Sequence, residues 1–358
     1  MIIFTSICAN YLHKARTLAK SVKENINDAT FMVALTEKSV PSSASCPYFD
    51  KVILSKDIWE GESFESFIFP HAIVEASTAV KGRFFQYLMD KFPDENMFVY
   101  LDPDCYVYSD FIELRNELEH APIILCPHLL QPGNIEMEIS SLAHGVYNLG
   151  FLAVNRSDEA RRFIDWWTTR LNDFCYDDIP KGIFTDQRWI DLAPCFFEVM
   201  ILKHKGYDFA TWSIKDSGLL CKNRKYYVKQ DELRFVHFSG YGKTIENCMN
   251  QWLPQNEQVF HGLYNDYKIM HELNDQDHVS QSTWDYGCFC SGEKITDENR
   301  IYYRDCLRKT SNVQNPFEKS NAFFDSMRRL SFTQNNQNFL GRGIRLFLKF
   351  AEKLGKKK

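Results

Sequence analysis

The sequence predicts an α/β fold, with a mainly parallel central sheet flanked by helices and a helical C-terminal extension. Short apolar runs alternate with stretches of helical periodicity over the first hundred residues. A pair of aspartates leaves the last of those runs, where an open parallel sheet gathers its ligands. Beyond about residue 245 the alternation stops and the segments become helical or irregular.

The elements follow in order. "IIFTSI" (Ile2 to Ile7) is a buried strand, and Leu12, Ala15, Leu18, Ala19 and Val22 then recur on one face of a helix. "TFMVAL" (Thr30 to Leu35) and "KVIL" (Lys51 to Leu54) are the next strands. The spacing of Ile73, Ala76, Val80, Phe84 and Leu88 predicts one helix, stopped before Pro93, and "MFVYL" (Met97 to Leu101) is a strand. "PIILCPH" (Pro122 to His128) and "VYNLGFLAVN" (Val146 to Asn155) are further strands, with a helix over Ala160 to Phe174. A helix opens at "FTDQRWIDL" with Thr185 as its N-cap, and "RFVHFSG" (Arg234 to Gly240) is a late strand. The expected organisation is therefore 1–245, 246–335 and a basic amphipathic helix over 336–358, with "FTQNNQNF" near Gln334 as a loose linker.

Composition narrows the function. Hydrophobic content of 44% and charged content of 25% are those of a globular chain, and a net charge of -5 gives no general affinity for nucleic acid. Eleven cysteines, an odd number scattered through apolar segments, read as free thiols of a reducing compartment. The one-residue spacing of Cys288 and Cys290 does not suit a zinc site. No apolar run reaches the roughly 18 residues a membrane span needs, and no basic segment precedes the first apolar run. A cytoplasmic location is expected.

The chemistry concentrates in "MFVYLDPDCYVYSD". Burying Asp102 and Asp104 without a partner is costly, and a hard divalent cation would neutralise both, since carboxylate oxygens are what Mg²⁺ and Mn²⁺ prefer. "VYLDPDCYVYSD" resembles the metal motif of GT-A glycosyltransferases, which move a sugar from a nucleotide-sugar donor. Three further segments resemble the retaining family-eight enzymes, the glycogenin and lipopolysaccharide galactosyltransferase group, in the same order: "YNLGFLAVN", "TDQRWID" and "VHFSGYGK". The opening "IFTSICANYLHKARTLAKSV" and the segment around "HGVYNLGFLAVN" are similar to bacterial surface-polysaccharide glycosyltransferases.

The resemblance implies a GT-A domain over 1–245, an acceptor-side extension over 246–335, and a divalent ion, Mn²⁺ or Mg²⁺, held by Asp102, Asp104 and His237. A nucleotide-diphosphate sugar would be the donor. Asp104 would be the direct ligand and Asp102 shared with ribose hydroxyls, with Gly240 and Lys243 beside the diphosphate. Asn148 and Gly150 would meet the donor sugar, Asp186 its hydroxyls, and Gln187 would lie beneath the anomeric carbon. One of Lys81 and Arg83 would contact phosphate or sugar, and Thr5, Ala9 and Asn10 would hold the nucleobase. "TSICANY" lacks the acidic residue with which family eight ends its first strand, which leaves the base open. Asp177 and Asp178 are possible bases for an inverting reaction; the Asp-Gln and His-x-x-Gly likeness favours retention. The partners implied are the donor and a glycan or lipid-linked glycan acceptor. The basic tail, with Phe347, Phe350, Ala351 and Leu354 on one side, would meet an anionic membrane surface or dock on its own domain. Competing readings are a haloacid-dehalogenase-type phosphohydrolase, in which Asp-x-Asp supplies nucleophile and acid, and a non-catalytic sugar-nucleotide-binding subunit.

Overall fold

The computed structural model describes residues 1–330 except 62, 216, 254–256, 311, 312 and 314, so the expected linker and the basic helix over 336–358 lie outside the described residues. Seven strands form the main sheet: β1 (Ile2–Ile7), β2 (Thr30–Leu35), β3 (Lys51–Leu54), β4 (Met97–Leu101), β6 (Ile123–Leu125), β7 (Phe151–Asn155) and β8 (Met200–Ile201), in the order β8-β6-β7-β4-β1-β2-β3. Only β7 runs antiparallel to its neighbours, β4 and β6. The other pairings are parallel, with Ile2 opposite Thr30 on one side and Phe98 on the other. The sheet is the mixed, mostly parallel one expected. Its inner strands β1 and β4 are apolar on both faces because helices cover both.

The covering helices are α1 (Leu12–Asn25), α2 (Ile73–Ala79), α3 (Lys81–Lys91), α4 (Ile135–His144) and α5 (Asp158–Phe174). Leu12, Ala15, Leu18, Ala19 and Val22 of α1 pack with Ile3, Phe31 and Val99 in one core. Ser157 caps α5 by accepting a hydrogen bond from Ala160. The helix expected over Ile73 to Leu88 is two helices broken at Val80. Both halves face the same sheet, so the apolar spacing runs through the break without marking it. At the start of α3, Gly82 lies so close to α5 that a Cβ there would fall 2.4 Å from the Thr168 hydroxyl.

A separate two-stranded ladder matters more for the site. β5 (Cys105–Val107) follows the aspartates at once, and β9 (Phe235–His237) pairs with it antiparallel, placing His237 opposite Cys105. The described chain divides into two compact units. Met1–Glu60 and Ile73–Asp285 form one, which runs past residue 245 through α6 (Lys243–Trp252) and α7 (Val259–Leu273). Gly61–Ala72 and the chain from Tyr286 onward form the other, built around Phe69, whose ring meets Phe289, Tyr303, Phe317 and Phe324. No helix among the described residues is long and apolar enough to cross a membrane.

In the first unit His13 of α1 and His271 of α7 share an Nε2 to Nε2 hydrogen bond of 2.8 Å. Burial first, then the neighbouring His271, lowers the His13 pKa to about 4, and burial, then Lys14, lowers that of His271. Ordinary imidazoles titrate near 6.5, so below that pH the unfolded chain binds more protons than the folded one. This contribution is complete above pH 6.5 and is lost as pH falls towards 4. Urea unfolding of His13→Gln should therefore lose less stability between pH 7 and pH 4.5 than the unaltered chain; equal losses would rule the pair out as the cause.

Candidate metal and sugar-nucleotide site

The centre is built by two backbone pairings. Cys105 donates its N–H to the Asp102 carbonyl at 3.0 Å, closing the turn that carries both aspartates, and Phe238 donates to the Asp104 carbonyl at 2.9 Å, locking β9 alongside. His237 Nε2 consequently lies 3.1 Å from Asp104 Oδ1 and 3.7 Å from Asp102 Oδ2. One potential ligand atom from each of Asp102, Asp104 and His237 lies within 4.8 Å of the other two.

The far side of the imidazole decides its tautomer. Nδ1 is 3.2 Å from Asn148 Oδ1 and 3.3 Å from Asp208 Oδ1. Asn148 Oδ1 already accepts the Gly150 N–H at 2.8 Å, and both oxygens can only accept, so this hydrogen-bond pattern assigns the proton to Nδ1. In the neutral ring the Nε2 lone pair then faces two carboxylates, a repulsion that a bound cation would relieve. Two carboxylates and an imidazole fit Mn²⁺ or Mg²⁺. Without one, the ring itself takes up the charge: burial disfavours the imidazolium, but Asp104 and then Asp208 outweigh it and raise the His237 pKa to about 10. Burial would raise the pKa of Asp104; Lys14, with Nζ 3.7 Å away, and His237 reverse this and hold it well below the usual carboxylate range.

A second knot of charge lies beside the first. Lys81, the first residue of α3, is buried with Nζ 2.9 Å from Asp186 Oδ2 and 3.4 Å from Asp102 Oδ1. It donates to the Leu149 carbonyl at 3.1 Å and sits 4.0 Å over the Tyr100 ring. Burial alone would discharge it, yet Asp102 and then Asp186 keep it charged above the ordinary lysine range. Tyr100 donates its hydroxyl to Asp102 Oδ1 at 2.5 Å. Asp186 Oδ1 accepts from Thr185 at 3.0 Å, and Oδ2 takes the Lys81 ammonium. Between Lys81 and Arg83 the structure therefore brings Lys81 to the centre; Arg83 lies 5.2 Å over the Trp59 ring.

The other sequence candidates divide. A cavity of about 180 Å³ is lined by Asn10, Tyr11, Ser77, Tyr100, Asp102 and Asp104 among others. Thr5 is fully buried, and Ala9 donates its N–H to Glu37 at 2.7 Å. Gln187 is occupied at both ends, Oε1 accepting from Leu149 N–H at 2.9 Å and Nε2 donating to the His144 carbonyl at 3.0 Å. This ties the Val146 to Gly150 segment to the end of α4, which is why β7 begins at Phe151 and not at Val146. Gly150 is required by the imidazole, since a Cβ there would stand 2.3 Å from His237 Cε1 and 2.6 Å from Asn148 Oδ1. Thr185 is not the expected N-cap: it takes a left-handed φ of 44°, and the short helix Gln187–Ile190 is entered through Asp186. Gly240, at φ 74°, and the exposed Lys243 lead from β9 into α6. Asp177 is exposed in the short strand Asp177–Asp178, and Asp178 pairs with Lys181.

Lys14, Tyr100, His128 and Asp208 enter the centre without having been singled out in the sequence. Lys14 shares a buried helix stripe with Leu18 and Ser21, a spacing that could have exposed it. Asp208 is 3% exposed, at a left-handed φ of 49°, with a pKa that burial raises to about 6 against the pull of His237. Asp208 stands in no patterned segment, and His128, whose Nε2 is 3.1 Å from Asn148 Nδ2, closes the apolar run Pro122 to His128 with nothing there to mark it.

No protein-family model matches the chain. Curated relatives of Bacillus subtilis (strain 168) similar to it include the uncharacterized proteins YfnD, 26% identical over 174 residues, and YfnF, 23% identical over 199 residues. These matches take in 48% and 54% of this chain but 55% and 63% of the relatives, so the chain spans less than two thirds of the length of either. Solved structures it resembles include glycosyltransferases. The galactosyltransferase LgtC, in complex with donor and acceptor sugar analogues, is 15% identical, with 73% of this chain and 99% of that one covered at a TM-score of 0.42. A likeness at that score carries no argument about activity here.

Two substitutions check the geometry. Lys81→Met leaves Asp186 buried without its counter-charge and should cost about 3–5 kcal/mol in urea unfolding; a loss under about 1 kcal/mol would mean that the pair is solvated. Gly150→Ala should cost about 1–3 kcal/mol by overpacking and shift the His237 ring resonances in NMR spectra. Unmoved resonances would contradict the contact.

Proposed function

We propose that this chain is a metal-dependent GT-A glycosyltransferase, moving a sugar from a nucleotide-diphosphate donor to a glycan acceptor in surface-polysaccharide synthesis. The observation that carries the reading is the convergence of Asp102, Asp104 and His237 on one point, although His237 lies more than a hundred residues along the chain from the aspartates. The motifs "YLDPDC", "YNLGF", "TDQRW" and "HFSGYGK" support it, since all four contribute residues in the same unit.

In this reading a bound Mn²⁺ or Mg²⁺ supplies charge stabilisation for a departing diphosphate. The chain's residues do the rest. Asn148 and Asp208 orient the imidazole, and Tyr100 and Lys81 hold the Asp102 carboxylate in place. Lys81 pairs with Asp186 Oδ2 against the burial that raises the Asp186 pKa, and fixes this carboxylate where it can meet a sugar hydroxyl. The cavity beside Asn10 and Asp102 takes the nucleoside. Retention is the stereochemical course proposed, supported by the likeness of the Asp186–Gln187 and His237–Gly240 segments to the retaining enzymes. A lipid-linked acceptor is the fuller form of the proposal, supported by the run of basic residues near the end of the sequence. The phosphohydrolase alternative is not favoured, because Asp102, its would-be nucleophile, is already engaged by Tyr100 and Lys81.

A screen of nucleoside diphosphates tests this. One of UDP, GDP or CDP should raise the melting temperature in the presence of Mn²⁺, by the equivalent of about 2.7 kcal/mol at a hundredfold excess over Kd. Asp104→Asn should abolish the rise and the slow hydrolysis of the matching nucleotide sugar. No rise with any nucleotide would overturn the reading.

A further inference from the structure

A cavity of about 330 Å³ lies on the other side of the metal-centre residues, and nothing in the chemistry above uses it. Two of its walls are shared with the centre. His128 lines it while holding its Nε2 3.1 Å from the amide of Asn148, and Trp212 lines it with its ring 5.7 Å from that of His237. Phe209 adds a second aromatic wall. Aromatic faces with a few polar groups are what a small polar ligand needs for burial and orientation.

The charge of this cavity is opposite to that of the whole chain. Lys205, Lys215 and Lys229 line it, and among the described residues no aspartate or glutamate does, in a sequence with five more acids than bases. None of the three lysines forms an ion pair among the described residues, whereas Lys14, Lys23, Lys81, Lys181 and Lys225 all do. Lys229 carries a further mark. It turns the chain between the strands Lys225–Val228 and Asp231–Glu232 with a left-handed φ of 59°, where glycine would sit without strain. The backbone does not call for a lysine there.

We propose that this cavity receives a saccharide bearing an oxyanion, a phosphate or a carboxylate, and that the acceptor is therefore an acidic sugar. The inference rests on the glycosyltransferase reading for the word acceptor, and on the lysine lining alone for the anion. The His128 and Trp212 walls would bring such a sugar up against Asn148 and His237, next to the place where the donor sugar is proposed to lie.

The test is direct binding to the full chain by calorimetry, with glucose 6-phosphate, glucuronic acid and glucose as probes. At least one anionic sugar should bind more than about tenfold tighter than glucose, and whichever binds tighter identifies the anion. Lys229→Gly and the double variant Lys205→Ala, Lys215→Ala should each weaken that binding by about tenfold, the loss expected for one charge-assisted hydrogen bond. Lys229→Gly leaves the turn unstrained, so its melting temperature should not fall. Asp104→Asn should keep the binding. The proposal is overturned if neither anion exceeds glucose, if both lysine variants bind as the unaltered chain does, or if Asp104→Asn abolishes binding. The nucleotide screen is read separately: a nucleotide-dependent shift without anionic-sugar binding removes this inference and leaves the transferase reading standing, and the reverse result does the opposite.

Discussion

The short ladder between β5 and β9 is the constraint on which the centre depends. Three residues on each side suffice, because the register that sets His237 opposite Cys105 also brings the Asp104 carbonyl to the Phe238 N–H. A slip of one residue would turn the imidazole to the opposite face of the strand and leave two half-buried carboxylates without it. Apolar packing supports the register from both sides: Phe235 joins the main core with Val107 and Phe151, and Val236 and Phe238 join a second core with Phe260 and Tyr267.

Around that ladder the fold solves a problem of charge. Asp102 and Asp104, partly exposed, and Asp186 and Asp208, buried, crowd one region, and Lys14, Lys81 and His237 answer them. Such an arrangement is not a source of stability, because desolvating the ions cancels most of what their attraction returns. Its value is that each carboxylate is held in one position, ready for a cation and for hydroxyl groups. The neutral neighbours are chosen for the same end. Gly150 makes room for the imidazole, Asn148 fixes its proton, and Gln187 ties down the loop that presents both.

Much of the fold was legible in the sequence. Strands at Ile2–Ile7, Thr30–Leu35, Lys51–Leu54 and Met97–Leu101 are where their apolar runs placed them. Boundaries failed where side chains took over backbone hydrogen bonding. The stretch from Val146 to Gly150 has a strand's composition, but Gln187 and Asn148 claim the Leu149 and Gly150 amides that a strand partner would have used. The break at Val80 escaped because amphipathic spacing reports which face is covered, and both helices cover the same one.

The sequence by itself determined the α/β layering and the segments in which chemistry would be found, because hydrophobic periodicity and strong motifs are local properties. Only the tertiary structure decided that Lys81 and not Arg83 meets the aspartates, that Lys14 and Asp208 complete the charge balance, and that three lysines surround one cavity. The reason is physical. A charged side chain is stabilised by whatever lies within a few ångströms of it, and for a residue on one strand that neighbour can be a hundred residues away along the chain.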